Sequence, residues 1–214
     1  GINFENVDLS TITRDSATSC GSASIYLFYG SETNTISYNE VVGNPGDGFA
    51  LLNVTNNTYT NNIVRSNSNS GFFINSSSNN EFRDNTVTSN TIHGIHIYTG
   101  SSRNSVKNNL IKSNNQAGIL FKDADTNSCG GNEIRGNDTG VRINGTSNNN
   151  AIVKNNIADN NVNNIDNQGT GAHTIRLIAS DGYAPVRAQL ELRAGNRAPV
   201  VSLASDSPSV TPGG

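Results

Sequence analysis

A step of about 23 residues runs through most of this chain, and it constrains the fold more than any other feature. Gly followed by an apolar residue recurs at Gly48-Phe49, Gly71-Phe72, Gly94-Ile95, Gly118-Ile119 and Gly140-Val141, at spacings of 23, 23, 24 and 22. Ser24-Ile25 begins the series and Asn164-Ile165 continues it. Asn is the other residue that tolerates positive φ, so the column reads as a bend. Three columns of Asn keep the same phase. One is Asn39, Asn62, Asn85, Asn109, Asn132 and Asn155. A second, five residues later, is Asn44, Asn67, Asn90, Asn114, Asn137 and Asn160. A third, five earlier, is Asn34, Asn57, Asn80, Asn104, Asn127 and Asn150. Repetition at this period marks a solenoid, in which no repeat buries its apolar face alone.

Apolar columns fill the spaces between the bends. Ile36, Tyr59, Phe82, Val106, Cys129 and Ile152 form one, and Val41, Val64, Val87, Ile111, Ile134 and Ile157 another. Phe49/Leu51, Phe72/Ile74, Ile95/Ile97, Ile119/Phe121 and Val141/Ile143 alternate with period two, as strands do. The pattern predicts an all-β chain: a right-handed, single-stranded parallel β-helix of about six to seven coils, three short strands per coil. Equivalent residues then stack ~4.8 Å apart, and an Asn at each inward bend bonds the Asn of the next coil in a ladder. Leucine-rich repeats share the period but require an L-x-x-L-x-L skeleton that is missing here.

Composition narrows the setting. Charged residues are 14% of the chain, Met and Trp are absent, and the net charge is −3. Without a basic stripe to neutralise phosphates, nucleic acid is not an expected partner. No apolar run approaches the ~18–20 residues of a membrane span. The Asn-rich, Lys-poor balance fits an extracellular or cell-surface protein. Gly1 and the stop at Thr211-Pro212-Gly213-Gly214 read as the edges of an excerpt from a longer secreted protein.

The segments Asn62-Ile-Val-Arg-Ser-Asn67…Gly71-Phe-Phe-Ile74 and Asn109-Leu-Ile-Lys-Ser-Asn114…Gly118-Ile-Leu-Phe121 resemble the parallel β-helix repeats of the carbohydrate-binding and sugar-hydrolase superfamily, which includes NosD-like periplasmic proteins, alginate epimerases and pectate-lyase-type enzymes. The resemblance covers about Ser24 to Gln168. It implies the fold and a polysaccharide partner on an outward sheet face; the shared motif is scaffold, so it implies no particular reaction. The epimerases' Asp-Pro signature and the polygalacturonases' Asp-Asp and Gly-His-Gly sets are missing. A binding module is therefore favoured over an enzyme. Two alternatives stand beside it: a structural block that packs against copies of itself in an envelope layer, adhesin stalk or filament, and a lyase, epimerase or hydrolase of an acidic glycan.

The chain divides into a β-helix over 1–168, with a loop insertion at about 10–21, and a β-hairpin over 169–196. In the latter, His173–Ala179 and Pro185–Arg193 alternate around Asp181-Gly182. This hairpin reads as a cap on the solenoid; it is also similar to the last strands of an immunoglobulin-like or PKD-type surface module. Residues 197–214 read as a linker or the first strand of a following module.

Five outward positions form the candidate carbohydrate surface. His96 shares a column with Ala50, Phe73, Leu120 and Arg142, and Tyr98 and Lys122 share the next. Aromatic and cationic groups on one face can stack on sugars and hold acidic ones. No catalytic residue is identified. His93 and His96 lack a third metal ligand. Asp123-Ala-Asp125-Thr-Asn127 opens like a calcium loop, but Ser128 and Ile134 stand where that loop needs Gly and Glu. Asp123 and Asp125 are thus the candidate calcium ligands of a chain for which no cofactor is expected. Cys20 and Cys129 fall four to five coils apart, ~19–24 Å at the strand spacing against a limit near ~7 Å. No disulfide joins them on this reading, and Cys129, in an inward column, is a buried thiol.

Overall fold

The computed structural model describes residues 1–180, 185–193 and 200–203. Among them no residue is α-helical, and the chain winds right-handedly through eight coils. Like strands of successive coils pair in parallel to build three sheets. The first sheet holds Ile2–Glu5, Ile25–Phe28, Phe49–Leu52, Phe72–Asn75, Ile95–Tyr98, Ala117–Lys122, Thr139–Asn144 and Asn163–Asn167. The second begins at Thr11–Thr13, passes through Thr35–Ser37, Thr58–Thr60 and Glu81–Arg83, and reaches Ala151–Val153 and Ala172–Ser180. The third runs from Ser16–Thr18 to Asn156–Ala158.

Register is residue for residue. Phe72 pairs with Phe49 and Ile95, Phe82 with Tyr59 and Val106, and Val87 with Val64 and Ile111. Period-two alternation therefore sends the expected apolar columns inward, where Ile36, Phe49, Tyr59, Phe72, Phe82 and Ile111 are fully buried. Rings on adjacent coils stack face to face, Phe49 on Phe72 at 4.6 Å and Tyr59 on Phe82 at 4.9 Å. That separation is the coil step itself, so like residues on adjacent coils meet at aromatic contact distance.

All three Asn columns are ladders. Asn62 donates both its backbone N–H and its Nδ2 to Asn85 Oδ1, at 2.9 and 3.0 Å, and Asn85 does the same to Asn109 at 2.9 and 3.0 Å. The second column, from Asn44 to Asn160, repeats the pattern through Asn67, Asn90, Asn114 and Asn137. Each Nδ2 also reaches a carbonyl of the coil before, as Asn85 reaches Tyr59 O at 3.0 Å. The residue ahead of each ladder Asn supplies the sharp turn: Tyr38, Asn61, Asp84 and Asn108 all have φ between 53° and 57°.

The Gly column plays a different part from the one expected. Gly48, Gly71, Gly94, Gly118 and Gly140 are not among the positive-φ residues. A Cβ on Gly71 would lie 2.6 Å from Val87 Cγ1 and 2.7 Å from Gly94 O. Glycine is required there for close approach of neighbouring coils, not for its backbone freedom.

The amino-terminal loop insertion is also corrected. Thr11–Thr13 and Ser16–Thr18 are regular strands, paired with Thr35–Ser37 and Glu40–Val42. Ser10, Asp15 and Cys20 occupy the three ladder positions of this coil. Their backbone N–H groups donate to Asn34, Asn39 and Asn44 at 2.8, 3.0 and 2.8 Å. The corner tolerates them because it is the Oδ1 of the following coil that does the accepting. This coil raises the count from the expected six or seven to eight.

At the other end, Ala172–Ser180 starts in parallel register with Ala151–Val153 and pairs along its length with Pro185–Arg193, antiparallel. Val200–Leu203 lies antiparallel to Pro185–Arg193. The hairpin is thus a continuation of the second sheet; its expected Asp181-Gly182 turn lies outside the described residues, as does most of 197–214. His173 takes the place of a ladder Asn, its Nδ1 accepting from Asn150 N at 3.4 Å. Cys20 and Cys129 are both free thiols. Burial pushes the Cys129 thiol up to about 12, against the smaller opposing effect of a hydrogen bond accepted from Asn132 and one donated to Asn155. No helix among the described residues is long and apolar enough to cross a membrane.

Candidate functional site

The outward positions of the first sheet differ from those of the other two. One outward column runs Tyr26, Ala50, Phe73, His96, Leu120, Arg142 and Asp166, and its neighbour runs Phe28, Leu52, Asn75 and Tyr98, with Lys122 beside Asn144 further along. From Ile25–Phe28 to Thr139–Asn144 each strand has its inward side chains in the core, so the two outward ones are free to differ from coil to coil. On the third coil they are Ala50 and Leu52. On the second they are Tyr26 and Phe28, and on the fourth Phe73 and Asn75. A low coil between two high ones makes a trench along the strand direction, enclosing about 320 Å³.

Ala50 and Leu52 floor the trench, and Tyr26 and Phe73 wall it. Asp47 and Asn69 close one end, at the bends that lead into the first-sheet strands, and Asn75 stands at the other. Tyr26 is braced by Phe28, with ring centroids 4.6 Å apart. Asp47 accepts the backbone N–H of Ser70 at 2.8 Å. Burial raises its carboxyl above the ordinary Asp value, and hydrogen bonds from Ser70 and Asn69 oppose the rise.

Of the five residues singled out by sequence, four meet. Phe73 contacts His96 edge-on at 5.3 Å and Tyr98 at 5.9 Å, His96 meets Tyr98 at 5.2 Å, and Lys122 Nζ sits 5.4 Å from the Tyr98 ring centre. The fifth, Arg142, is held elsewhere. Its Nε pairs with Asp166 at 3.1 Å and its terminal nitrogen donates to Thr139 at 2.9 Å. Asp166 lies one coil on in the same outward column, a partner that register alone would have identified. Tyr26, Asp47 and the Ala50 floor were not foreseen. Their signal was a small residue between two aromatic ones in an outward column, and a search for likeness between repeats passes over such a difference.

His93 and His96 lie 5.0 Å apart, and burial is the main reason that both stay neutral. It brings His96 down to about 4, helped by the charge of Lys122, and His93 to about 3, helped by His96 and Arg142. His93 Nδ1 accepts the Ala117 amide at 3.1 Å. The two candidate calcium ligands are likewise occupied at a bend. Asp123 Oδ1 accepts from Thr146 N and Oγ1 at 2.8 and 3.1 Å, and Asp125 Oδ1 accepts from Asn148 N at 2.6 Å.

Fold and face together define a single-stranded parallel β-helix with an aromatic-walled trench on one outer sheet. The chain belongs to the NosD family, described as periplasmic copper-binding protein, whose model matches residues 1–175. No curated protein sequence matches it. Among solved structures it is similar to the A-module of the Azotobacter vinelandii mannuronan C-5 epimerase AlgE6, with a TM-score of 0.70 and 22% identity over 72% of this chain and 42% of that one. It is also similar to the periplasmic alginate epimerase AlgG, with a TM-score of 0.52 and 23% identity over 62% of this chain and 32% of that one. At these identities the likeness shows the fold, and the chain spans less than half the length of either structure.

The family's copper does not fit the donors present. Copper sites draw on thiolate, thioether and imidazole. This chain has no Met, and its Cys129 thiol is held protonated by burial. The described residues bring together no group of three or more His, Cys, Asp or Glu able to hold a metal, and one nitrogen of His93 is already spent on a backbone amide.

Proposed function

We propose that this chain is an envelope or extracellular β-helix module that binds polysaccharide on the outer face of its first sheet. The observation that carries the reading is the trench over Ala50, walled by Tyr26 and Phe73 and continuous with the Phe73–His96–Tyr98–Lys122 cluster. Aromatic walls offer apolar surface to the C–H faces of sugars, while Asp47, Asn69 and Asn75 offer hydrogen bonds to their hydroxyls. A family described as periplasmic and fold relatives that act on mannuronan and alginate support a glycan and an extracytoplasmic setting. Binding is preferred to catalysis because the trench holds a single carboxylate, whereas glycoside hydrolysis ordinarily takes two.

The test is glycan-array and affinity-gel binding of the chain and of two variants. Tyr26→Ala/Phe73→Ala should lose binding, and His96→Ala/Tyr98→Ala should weaken it where the ligand extends past the trench. Retention of full binding by both would remove the first sheet as the site. No binding to any glycan would leave the purely structural role.

A further inference from the structure

The trench and the cluster beside it differ in charge. Lysine, arginine and histidine are all missing from the trench lining, and its one ionisable acid is Asp47. The cations of this face lie further along. Lys122 is two coils beyond Phe73 and rests over the Tyr98 ring, and Arg142 is one coil beyond that, neutralised by Asp166. Two to three coil steps amount to ~10–15 Å, beyond the ~8 Å screening length of physiological salt. A uronic acid seated over Ala50 would thus bring its carboxylate toward Asp47 with no cation to offset the repulsion.

Resting on the binding reading above, we infer that the trench is a subsite for an uncharged pyranose, so that this face takes a neutral glycan there and rejects a uronate. The pieces match such a ring. Tyr26 and Phe73 stand two coil steps apart, ~9.6 Å between backbone levels, and Ala50 leaves the space between them open. Inside the solenoid the equivalent space is filled by side chains in contact, as in the Phe49–Phe72 stack. Outside, the ligand takes that place. Asp47 has one oxygen tied to the Ser70 amide and is partly stripped of water, so sugar hydroxyls are the partners it gains most from. Asn69 and Asn75 each offer both a donor and an acceptor, which suits hydroxyl groups and leaves charge selection to Asp47. An apolar peptide or a lipid would bring no further hydrogen-bond partner to Asp47, Asn69 and Asn75.

The experiment is calorimetric titration of the full chain with hexasaccharides of equal length: cellohexaose, mannohexaose, and the hexamers of mannuronate and galacturonate. The expected result is that a neutral hexamer binds and the uronates bind roughly 100-fold more weakly, the scale of a like-charge juxtaposition. Asp47→Asn, which keeps the oxygen that Ser70 requires, should raise the ratio of uronate to neutral-hexamer affinity about tenfold or more. Asn75→Lys, at a half-buried position at the end of its strand, should also raise uronate affinity. Uronates that bind best, and are unchanged by either variant, would overturn the inference while leaving polysaccharide binding on this face intact. A neutral hexamer whose binding survives Ala50→Trp would overturn the trench as the subsite. Absence of binding by all four sugars would overturn both this inference and the reading beneath it.

Discussion

The outer faces of the first and second sheets rest on one scaffold, yet they are different surfaces. Outward on the second sheet stand Thr35, Ser37, Thr58, Thr60, Glu81, Arg83, Ser105 and Lys107. Their charges are mutually satisfied, Glu81 pairing with Arg83 at 3.5 Å and with Lys107 at 3.4 Å. Outward on the first sheet stand Tyr26, Phe28, Phe73, His96 and Tyr98, half-buried against one another rather than against the core. Both faces have the same coil step and the same kind of corners. The interior dictates the shape and leaves two side chains per strand undetermined, and the two sheets have used that freedom in opposite ways.

The largest expected effect breaks both faces together. Asn85→Ala removes the acceptor for Asn62 N and Nδ2 and the donor to Tyr59 O in a buried corner. With an unsatisfied buried polar group costing ~1–3 kcal/mol, a loss of about 2–4 kcal/mol is expected, read from the urea midpoint, with ligand binding lost in proportion to folding. Acid separates the faces. His93 and His96 have values of about 3 and about 4 in the folded chain, below the ordinary 6.5 of the unfolded one. The unfolded chain then binds more protons, so stability falls as the pH drops below 6.5, by up to about 1.4 kcal/mol per unit for each histidine, and levels off below the folded values. His96→Gln should flatten that slope between pH 6.5 and 4, whereas Lys107→Gln on the second sheet should leave it unchanged.

A smaller effect sharpens the contrast in binding. Phe73→Ala should weaken glycan binding about tenfold, or ~1.4 kcal/mol, with stability changed far less because Phe73 is only half-buried. Smallest of all is Thr58→Ala on the second sheet, expected to move both stability and glycan affinity by less than about 0.5 kcal/mol. A Thr58→Ala variant that lost binding would place the ligand on the wrong sheet for this account.

The scaffold was legible in the sequence because it is made of likeness. Columns such as Asn39 to Asn155 and Val41 to Ile157 repeat one chemical requirement, and the repetition survives the change of spacing between 22 and 24. The stretch at about 10–21 reads as a loop for the same reason: Ser10, Asp15 and Cys20 satisfy the corner through their backbone N–H groups, so the requirement persists while the residue type does not. The Gly column was found but misread, since a tight approach and a positive φ select the same residue and only packing distinguishes them. The candidate site was half legible. Phe73, His96, Tyr98 and Lys122 stand together as the columns implied, but Arg142 is committed to Asp166, and the trench owes its existence to Ala50 being unlike its neighbours.

Because each first-sheet strand pairs only with its counterparts one lap before and one lap after, this architecture can be edited by whole laps. Inserting a lap between Tyr98 and Lys122 would part those two residues and leave the hollow over Ala50 as it is. Copying the lap that carries Ala50 would instead widen the hollow, with no interior side chain altered. A slip of one residue within Phe72–Asn75 would be ruinous by comparison, turning Phe73 into the interior and Phe72 out to solvent. Ligand range on such a scaffold is therefore free to grow in discrete increments of one turn.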